Sequence, residues 1–248
     1  EKNIKVNFLK MNLFEKVFIF LKTSPRFELI DKLINIFINT NFFERKLSRE
    51  KIDLVYFVSP SRLATDLKKI NFIFTIWDLC HRDNPEFPEV KKENQFKIRE
   101  KIYQDVIPRA CAVIVDSEVG KKNLVKRYLI DEERVHVITF EPAMRIKDFS
   151  GKVSNKIFEL INYDLSLPYI FYPAQYWPHK NHVYILEGIK ELESKFSQKV
   201  NAIFTGSDKG NLNYLKKYAI DLGLYERIYF LDFVSDQEII DLYNSSLA

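Results

Sequence analysis

The segment FYPAQYWPHKNH, residues 171–182, marks a change from one kind of secondary structure to another. An apolar run over residues 169–172 predicts a buried strand, and the two prolines that follow interrupt regular structure. Apolar residues then recur at helical spacing over 185–196, so a helix is predicted to begin near Asn181. The segment therefore predicts a strand, a loop and a helix N-terminus in succession.

Lys180 lies in this loop, immediately before the predicted helix. The first N–H groups of a helix have no intrahelical partner and carry partial positive charge, so a lysine beside them favours an anion-binding site. The alternative is a solvated lysine in an ordinary loop between a strand and a helix. His179 and His182 flank Lys180, but the pattern lacks further ligands, and no metal site is predicted.

The rest of the chain repeats the alternation of strand and helix. Strands are predicted at residues 53–58, 72–76, 112–115, 135–138, 169–172, 202–205 and 228–231. Helices are predicted at 14–21, 27–43, 96–107 and 118–128, from 181 onward, before Gly223, and after a capping box formed by Ser235 and Glu238. Such alternation is typical of parallel α/β sheets. The pattern is interrupted over residues 141–152, which include Pro142 and Gly151, and this divides the chain into domains 1–150 and 151–248.

Composition limits the classes of protein to consider. The chain has 248 residues, 46% of them hydrophobic, and a net charge of +4, which does not indicate nucleic-acid binding. Two cysteines give no disulfide framework and favour a reducing, cytoplasmic compartment. No apolar run reaches the length of a membrane span, yet the Phe- and Lys-rich first 50 residues are compatible with peripheral contact at the inner membrane face.

Five motifs in order carry a family resemblance. They are WDLCHRDNPEF (77–87), DSEVGK (116–121), YPAQYWPHKNH (172–182), TGS (205–207) and FLDFVSD (230–236). In this order they resemble the retaining glycosyltransferases of family 4. The resemblance implies an α/β fold of GT-B type with two Rossmann-like domains, both incomplete in this chain. The opening strand region and the family's pair of glutamates separated by seven residues are not found, so a fragment is expected.

The resemblance implies a nucleotide-sugar donor on the C-terminal domain. Lys180 matches the lysine of a basic pair that neutralises the diphosphate, while Gln175 stands where arginine is usual and brings no charge. Asn181 begins the adjoining helix. Gly206 and Ser207 would let the backbone approach the donor, although such a pair is also an ordinary turn.

Phe233 and Val234 lie in the loop that resembles the family's base-contacting loop. On the N-terminal domain, the resemblance places acceptor-side polar residues at Asp78 and His81, which with Lys180 are the candidate catalytic residues. Each of the two could instead be structural.

Ser117 and Glu118 are candidate substrate contacts in the second motif. The simpler interpretation is that they cap the helix that follows them.

The reaction that the resemblance implies is transfer of a hexosyl group from a nucleoside diphosphate sugar to a hydroxyl of a glycan or lipid-linked acceptor, with retention of configuration. This chemistry belongs to polysaccharide and lipopolysaccharide biosynthesis, and neither metal nor other cofactor is expected. Two alternatives remain open: a GT-B sugar-nucleotide epimerase and a non-catalytic homologue, the latter favoured by Gln175 and by Trp77 at variant positions.

Overall fold

The chain divides into two compact units, which are described separately. The computed structural model describes residues 10–24, 27, 41–91, 94–141 and 154–248. Unit 1 is Glu1–Phe140 and unit 2 is Glu141–Ala248. The predicted boundary between residues 150 and 151 lies outside the described residues.

Unit 1 contains a four-stranded sheet with helices between its strands. Its described helices are α1 (Leu13–Thr23), α2 (Phe42–Arg49), α3 (Cys80–Asp83), α4 (Pro88–Lys91), α5 (Gln95–Val106) and α6 (Glu118–Tyr128), and its strands are β1 (Leu54–Phe57), β2 (Asn71–Ile76), β3 (Ala112–Val115) and β4 (Val135–Val137). The strands run parallel in the order β1-β2-β3-β4. The predicted parallel α/β arrangement of this unit is confirmed.

Helix α2 differs from the sequence prediction. A helix was expected over residues 27–43, but residues 28–40 lie outside the described residues, and a separate helix begins at Phe42. Its N-terminus is capped from a distance by the buried Asp66, whose carboxylate accepts hydrogen bonds from the N–H groups of Phe43 (2.6 Å) and Glu44 (3.4 Å). A cap supplied by a residue more than twenty positions away cannot be seen in the local sequence.

Glu44 likewise binds backbone N–H groups, in the loop that leads into β2. One oxygen of its buried carboxylate accepts hydrogen bonds from the N–H groups of Lys68 (2.7 Å), Lys69 (2.5 Å) and Ile70 (2.9 Å). Burial acts to raise the pKa of Glu44, but these three bonds outweigh it and lower the pKa. The ionised carboxylate therefore fixes α2 against this loop.

Unit 2 contains a three-stranded parallel sheet. Its described helices are α7 (Lys156–Leu160), α8 (His182–Phe196), α9 (Leu212–Asp221) and α10 (Asp236–Ser245), and its strands are β5 (Tyr169–Pro173), β6 (Asn201–Thr205) and β7 (Ile228–Leu231). The strand order is β5-β6-β7, and Pro173, Thr205 and Leu231 are neighbours in the register. The loops that carry the candidate donor residues therefore leave the sheet side by side.

Two predicted caps are present in the structure. The side chain of Ser235 accepts from the N–H of Glu238, and the Glu238 carboxylate accepts from the N–H of Ser235, which completes the capping box of α10. Gly223, with a φ of +69°, follows the end of α9 as predicted. Among the described residues, none of the helices has the length and apolar character of a membrane span.

Candidate functional site

Asp78 lies on the surface at the carboxyl end of β2, beside a pocket of about 320 Å³. Trp77, Ser61 and Arg99 also line this pocket. Asp78 Oδ1 accepts hydrogen bonds from Arg99 Nη2 (2.6 Å) and from the N–H of Cys80 (2.8 Å). The carboxylate is thus oriented by an ion pair, and because its side chain stays 51% exposed it can also accept a bond from a ligand hydroxyl.

His81 is placed differently from Asp78, although only three residues separate them. Its ring is fully buried and lies within 2.8 Å of Glu100 Oε1 through Nε2. Burial and the charge of Arg99 lower its pKa more than Glu100 raises it, so the ring is neutral and donates Nε2–H to the carboxylate. His81 has no exposed surface with which to contact a substrate, and we assign it a structural role in place of the predicted catalytic one.

Glu100 is the centre of this buried network, which sequence reasoning missed. Its carboxylate also accepts bonds from Arg82, from Tyr128 Oη (2.6 Å) and from Gln104 Nε2 (3.0 Å). Burial acts to raise the pKa of Glu100, but the bonds from Arg82, Tyr128 and His81 lower it to about 2. We name this set of five side chains the Glu100 network; it joins α3, α5 and α6.

Ser117 and Glu118 are found at the start of α6. Ser117 Oγ accepts a hydrogen bond from the N–H of Gly120 (3.1 Å) and donates one to Asp116 Oδ1 (3.0 Å). Glu118 is exposed in the first turn, where a negative charge complements the helix dipole. This geometry accounts for both residues as helix-capping groups.

Gln175 and Lys180 are both exposed in the loop that follows β5. Trp177 Nε1 is a donor only and lies 2.9 Å from Gln175 Oε1, so the amide group of Gln175 presents its two N–H donors away from the indole. The Lys180 carbonyl accepts a hydrogen bond from Tyr172 Oη (3.1 Å), which fixes the backbone beneath the lysine.

Asn181 joins this loop to α8 in a left-handed conformation, with a φ of +51°. Asparagine tolerates this conformation better than most residues. The N–H of Tyr184 donates to the Asn181 carbonyl (3.0 Å), so the N–H groups of His182 and Val183 precede the first bond of the helix. The predicted helix start is confirmed.

Gly206 brings the loop after β6 against the loop after β5. Its φ is +150°, and a Cβ at this position would lie 2.7 Å from the Ala174 carbonyl oxygen. The Ser207 carbonyl accepts a hydrogen bond from the N–H of Tyr176 (3.2 Å). The glycine is therefore required by the contact between the two loops.

Tyr176 ties its loop to the ends of β6 and β7 and was not singled out from the sequence. Its ring is buried, and its hydroxyl lies 3.0 Å from the Phe204 carbonyl and 2.7 Å from the Leu231 carbonyl. Burial raises the pKa of Tyr176, so the hydroxyl remains a donor. No local sequence signal indicates this role, because both carbonyls lie on other strands.

Phe233 and Val234 lie in the loop after β7 and face different surroundings. Phe233 is 84% exposed, while Val234 packs against the core formed in part by Phe171 and Leu242. Asp232 Oδ1 accepts a hydrogen bond from the N–H of Phe233 (2.9 Å). The loop thus presents one solvent-facing aromatic ring on a backbone held by Asp232.

His182 is buried among aromatic rings at the start of α8. Its ring centroid lies 5.0 to 5.2 Å from those of Tyr172, Tyr176 and Phe204. Neither ring nitrogen has hydrogen-bond geometry with a described residue. Burial lowers its pKa to about 4, more than the nearby Ala174 carbonyl raises it. Among the described residues, no group of three or more His, Cys, Asp or Glu side chains is arranged to hold a metal ion.

Both units match glycosyltransferase families. Residues 154–248 match the family described as glycosyl transferases group 1, and residues 12–139 match Glycosyltransferase Family 4. The fold and these matches together place the two units in the GT-B class of glycosyltransferase folds. Because the second match covers more than half of the sequence, the chain belongs to glycosyltransferase family 4.

Solved structures share the fold of this chain. A glycosyltransferase from Rickettsia africae is 19% identical, with a TM-score of 0.57 over 98% of this chain and 57% of its own. HepE from Anabaena, solved in complex with UDP, is 14% identical, with a TM-score of 0.60 over 84% of this chain and 56% of its own. An E. coli structure described as trehalose-6-phosphate bound with UDP-2-fluoro glucose is 13% identical, with a TM-score of 0.60 over 84% and 54%.

The chain therefore spans little more than half the length of these structures. No curated protein matches its sequence.

Proposed function

We propose that this glycosyltransferase moves a hexosyl group from a nucleoside diphosphate sugar to a hydroxyl of a glycan or lipid-linked acceptor, with retention of configuration. Unit 2 binds the donor and unit 1 the acceptor. Two of the structures with this fold are described with UDP or a UDP-sugar, which makes a UDP-sugar the first donor to test.

The observation that carries the proposal is the packing of the loops after β5 and β6 against each other and against the end of β7, at the carboxyl edge of the unit 2 sheet. Ligands of open α/β sheets bind beyond the carboxyl ends of the strands. Gly206 packs against Ala174, and its N–H donates to the Leu231 carbonyl (3.3 Å). The Tyr176 hydroxyl bonds to carbonyls on β6 and β7. These contacts give the edge a fixed shape before any ligand arrives, which lowers the entropy cost of binding.

The reaction requires that the negative charge developing on the leaving diphosphate be stabilised. Negative charge grows on this group as the bond to the sugar breaks, so donors that favour the transition state accelerate the step. Lys180 supplies a full positive charge, Gln175 supplies neutral N–H donors, and the N–H groups of His182 and Val183 add the partial charge of the helix start. With one full charge in this set, donor binding depends strongly on Lys180.

The acceptor hydroxyl needs a site that orients it and a group that takes its proton. The pocket beside Asp78 supports the first role, because the Asp78 carboxylate is oriented by Arg99 and remains accessible. An oxygen of the departing phosphate takes the proton, so no strong protein base and no added cofactor enters the proposal. Phe233 stacks on the base of the nucleotide.

Calorimetric titration of the full chain with UDP- and GDP-sugars tests the donor site. We expect one nucleotide series to bind, and Lys180→Ala to weaken binding by about tenfold or more through loss of a charge-assisted contact. Lys217→Ala, which removes an exposed lysine of α9 in the same unit, is the matched control and should bind like the unaltered chain. Absence of binding to every donor would exclude the proposal and favour a non-catalytic homologue.

The chemical outcome is tested separately from binding. With a bound donor identified, the product formed on a sugar acceptor should keep the anomeric configuration of the donor by NMR, and a chelator should leave the rate unchanged. An inverted product would exclude the retaining reaction, and loss of activity on chelation would exclude a cofactor-free transfer.

A further inference from the structure

Lys209 lies in the loop after β6, at the edge of the unit 2 sheet where the candidate donor residues are found. We call the loop after β5, residues 174–181, the donor loop. The Lys209 side chain is exposed, and its Nζ lies 5.8 Å from the centroid of the Trp177 ring in the donor loop. None of the five sequence motifs includes Lys209. Its side chain therefore reaches from its own loop to the loop that carries Gln175 and Lys180.

The backbone beside Lys209 is fixed against the donor loop. The preceding residue, Asp208, forms a parallel bridge with Tyr176. Asp208 Oδ1 also accepts hydrogen bonds from three N–H groups that lead into α9, those of Gly210 (2.7 Å), Asn211 (3.2 Å) and Leu212 (3.2 Å). These bonds hold the backbone of Lys209 beside the donor loop.

The positive charge of Lys209 is available to a ligand. Among the described residues, no carboxylate forms an ion pair with its ammonium group. The face of the Trp177 ring attracts a cation but carries no net charge, so it orients the ammonium group without neutralising it. The carboxylate of the neighbouring Asp208 is engaged by the N–H groups that lead into α9. Lys209 therefore adds a full positive charge to this edge of the sheet.

Trp177 places this charge next to the Gln175 amide. The indole Nε1 donates to Gln175 Oε1 (2.9 Å), while the face of the same ring lies beneath Lys209 Nζ. Gln175 has no charge, and Lys180 is the only lysine or arginine in the sequence of the donor loop. A nucleoside diphosphate sugar carries one negative charge on each of its two phosphates at neutral pH. Lys180 alone would leave one of these charges without a cation.

We propose that Lys209 is the second cation of the donor site and that, together with Lys180, it binds the diphosphate of the nucleotide sugar. The two lysines leave adjacent loops of one sheet edge, so a diphosphate bound there meets a positive charge from each loop. Because negative charge grows on the diphosphate as the sugar departs, the second cation also favours the transition state. The inference rests on the proposed function, because it assigns a further residue to the same donor site.

Calorimetric titration of the full chain with UDP and with GDP tests the inference. For the nucleotide that binds, we expect Lys209→Gln to weaken the affinity by about fivefold, the upper value for one exposed charge pair. The affinity should also fall less steeply with added salt in Lys209→Gln than in the unaltered chain, because one ionic contact is missing. Lys217→Gln, which removes an exposed lysine of α9, is the matched control and should bind like the unaltered chain.

Gln175→Arg provides a rescue that a shared role at the diphosphate predicts. An arginine at this position adds a full charge beside Trp177. In the Lys209→Gln background it should therefore return the affinity to within about twofold of that of the unaltered chain. Gln175→Met, which is of similar size and has no charge, should give no recovery in the same background.

The possible outcomes separate this inference from the proposed function. If the unaltered chain binds neither nucleotide, the proposed function and the inference both fail. If it binds one of them and Lys209→Gln binds equally well, the proposed function stands and the inference is overturned. Equal weakening in Lys217→Gln, or a recovery with Gln175→Met as large as that with Gln175→Arg, would also overturn it. All variants should keep the circular dichroism spectrum of the unaltered chain.

Discussion

The two buried histidines of this chain, His81 in unit 1 and His182 in unit 2, have opposite surroundings. Each follows a strand by a short loop and stands at or near the start of a helix. His81 donates to the Glu100 carboxylate within a polar network, whereas His182 is enclosed by the rings of Tyr172, Tyr176 and Phe204. A histidine after a strand is therefore not evidence of catalysis, because here each one supports the residues around it.

Glu100→Ala is the change with the largest expected effect on this comparison. It leaves the buried His81 and the partly exposed Arg82 without their acceptor. Breaking a fully buried pair costs about 3 to 5 kcal/mol of unfolding free energy, and because the Arg82 side chain stays 28% exposed we expect about 3 kcal/mol here. Urea unfolding measures the loss. Trp77 and Trp177 are the two tryptophans of the chain, so a Trp177→Phe background makes Trp77 fluorescence report on unit 1. Glu226→Ala, at an exposed site of unit 2, should change stability by less than about 0.5 kcal/mol.

Acidification should weaken unit 1 through the same network. The pKa of Glu100 is about 2 in the folded chain against 4.5 when unperturbed, so its contribution is complete above pH 4.5 and is lost as the pH falls toward 2. The expected loss is on the order of 3 kcal/mol. His81 acts in the same direction, because burial lowers its pKa and unfolding lets it bind a proton.

Trp77 fluorescence during urea unfolding at a series of pH values checks this expectation. In the Glu100→Ala variant the unfolding free energy should fall much less steeply with pH below pH 4.5. An equal slope in both chains would assign the acid sensitivity to other carboxylates.

Replacing each histidine by phenylalanine gives the smallest expected effects and the most direct comparison. His81→Phe should cost about 1 to 3 kcal/mol, because Glu100 loses a buried donor. His182→Phe should cost less than about 1 kcal/mol, because an apolar ring suits a place where neither nitrogen has a well-formed hydrogen bond. Urea unfolding measures both costs, with Trp77 alone retained for the His81 variant and Trp177 alone retained for the His182 variant. If the two substitutions cost the same unfolding free energy, the ring nitrogens of His182 contribute to stability in spite of their aromatic surroundings.

The fold could be predicted from the sequence because its signals are local. Each of the seven predicted strands is found among the described residues within about two residues of its predicted ends. The caps at Ser117 and Ser235 follow from the residue types beside them. The Glu100 network could not be predicted in this way. Its partners are distributed from residue 81 to residue 128, and only the folded chain brings them together.

The candidate site was predictable only as a set of loops. The register of β5, β6 and β7 brings those loops together, as their positions after parallel strands imply. The sequence did not separate Asp78, which is exposed, from His81, which is buried, since both follow the same strand. It also gave no reason to select Tyr176, whose hydroxyl contacts carbonyls on two other strands.

The loop from Lys68 to Ile70 combines properties that normally exclude each other. The side chains of Lys68 and Lys69 are exposed, yet the amide protons of all three residues point at one buried oxygen of Glu44. Exchange of these protons with solvent requires that α2 move away and take its carboxylate with it, so their exchange rates report the opening of unit 1. The lysine side chains of this loop thus belong to the surface, while its backbone N–H groups belong to the interior of unit 1.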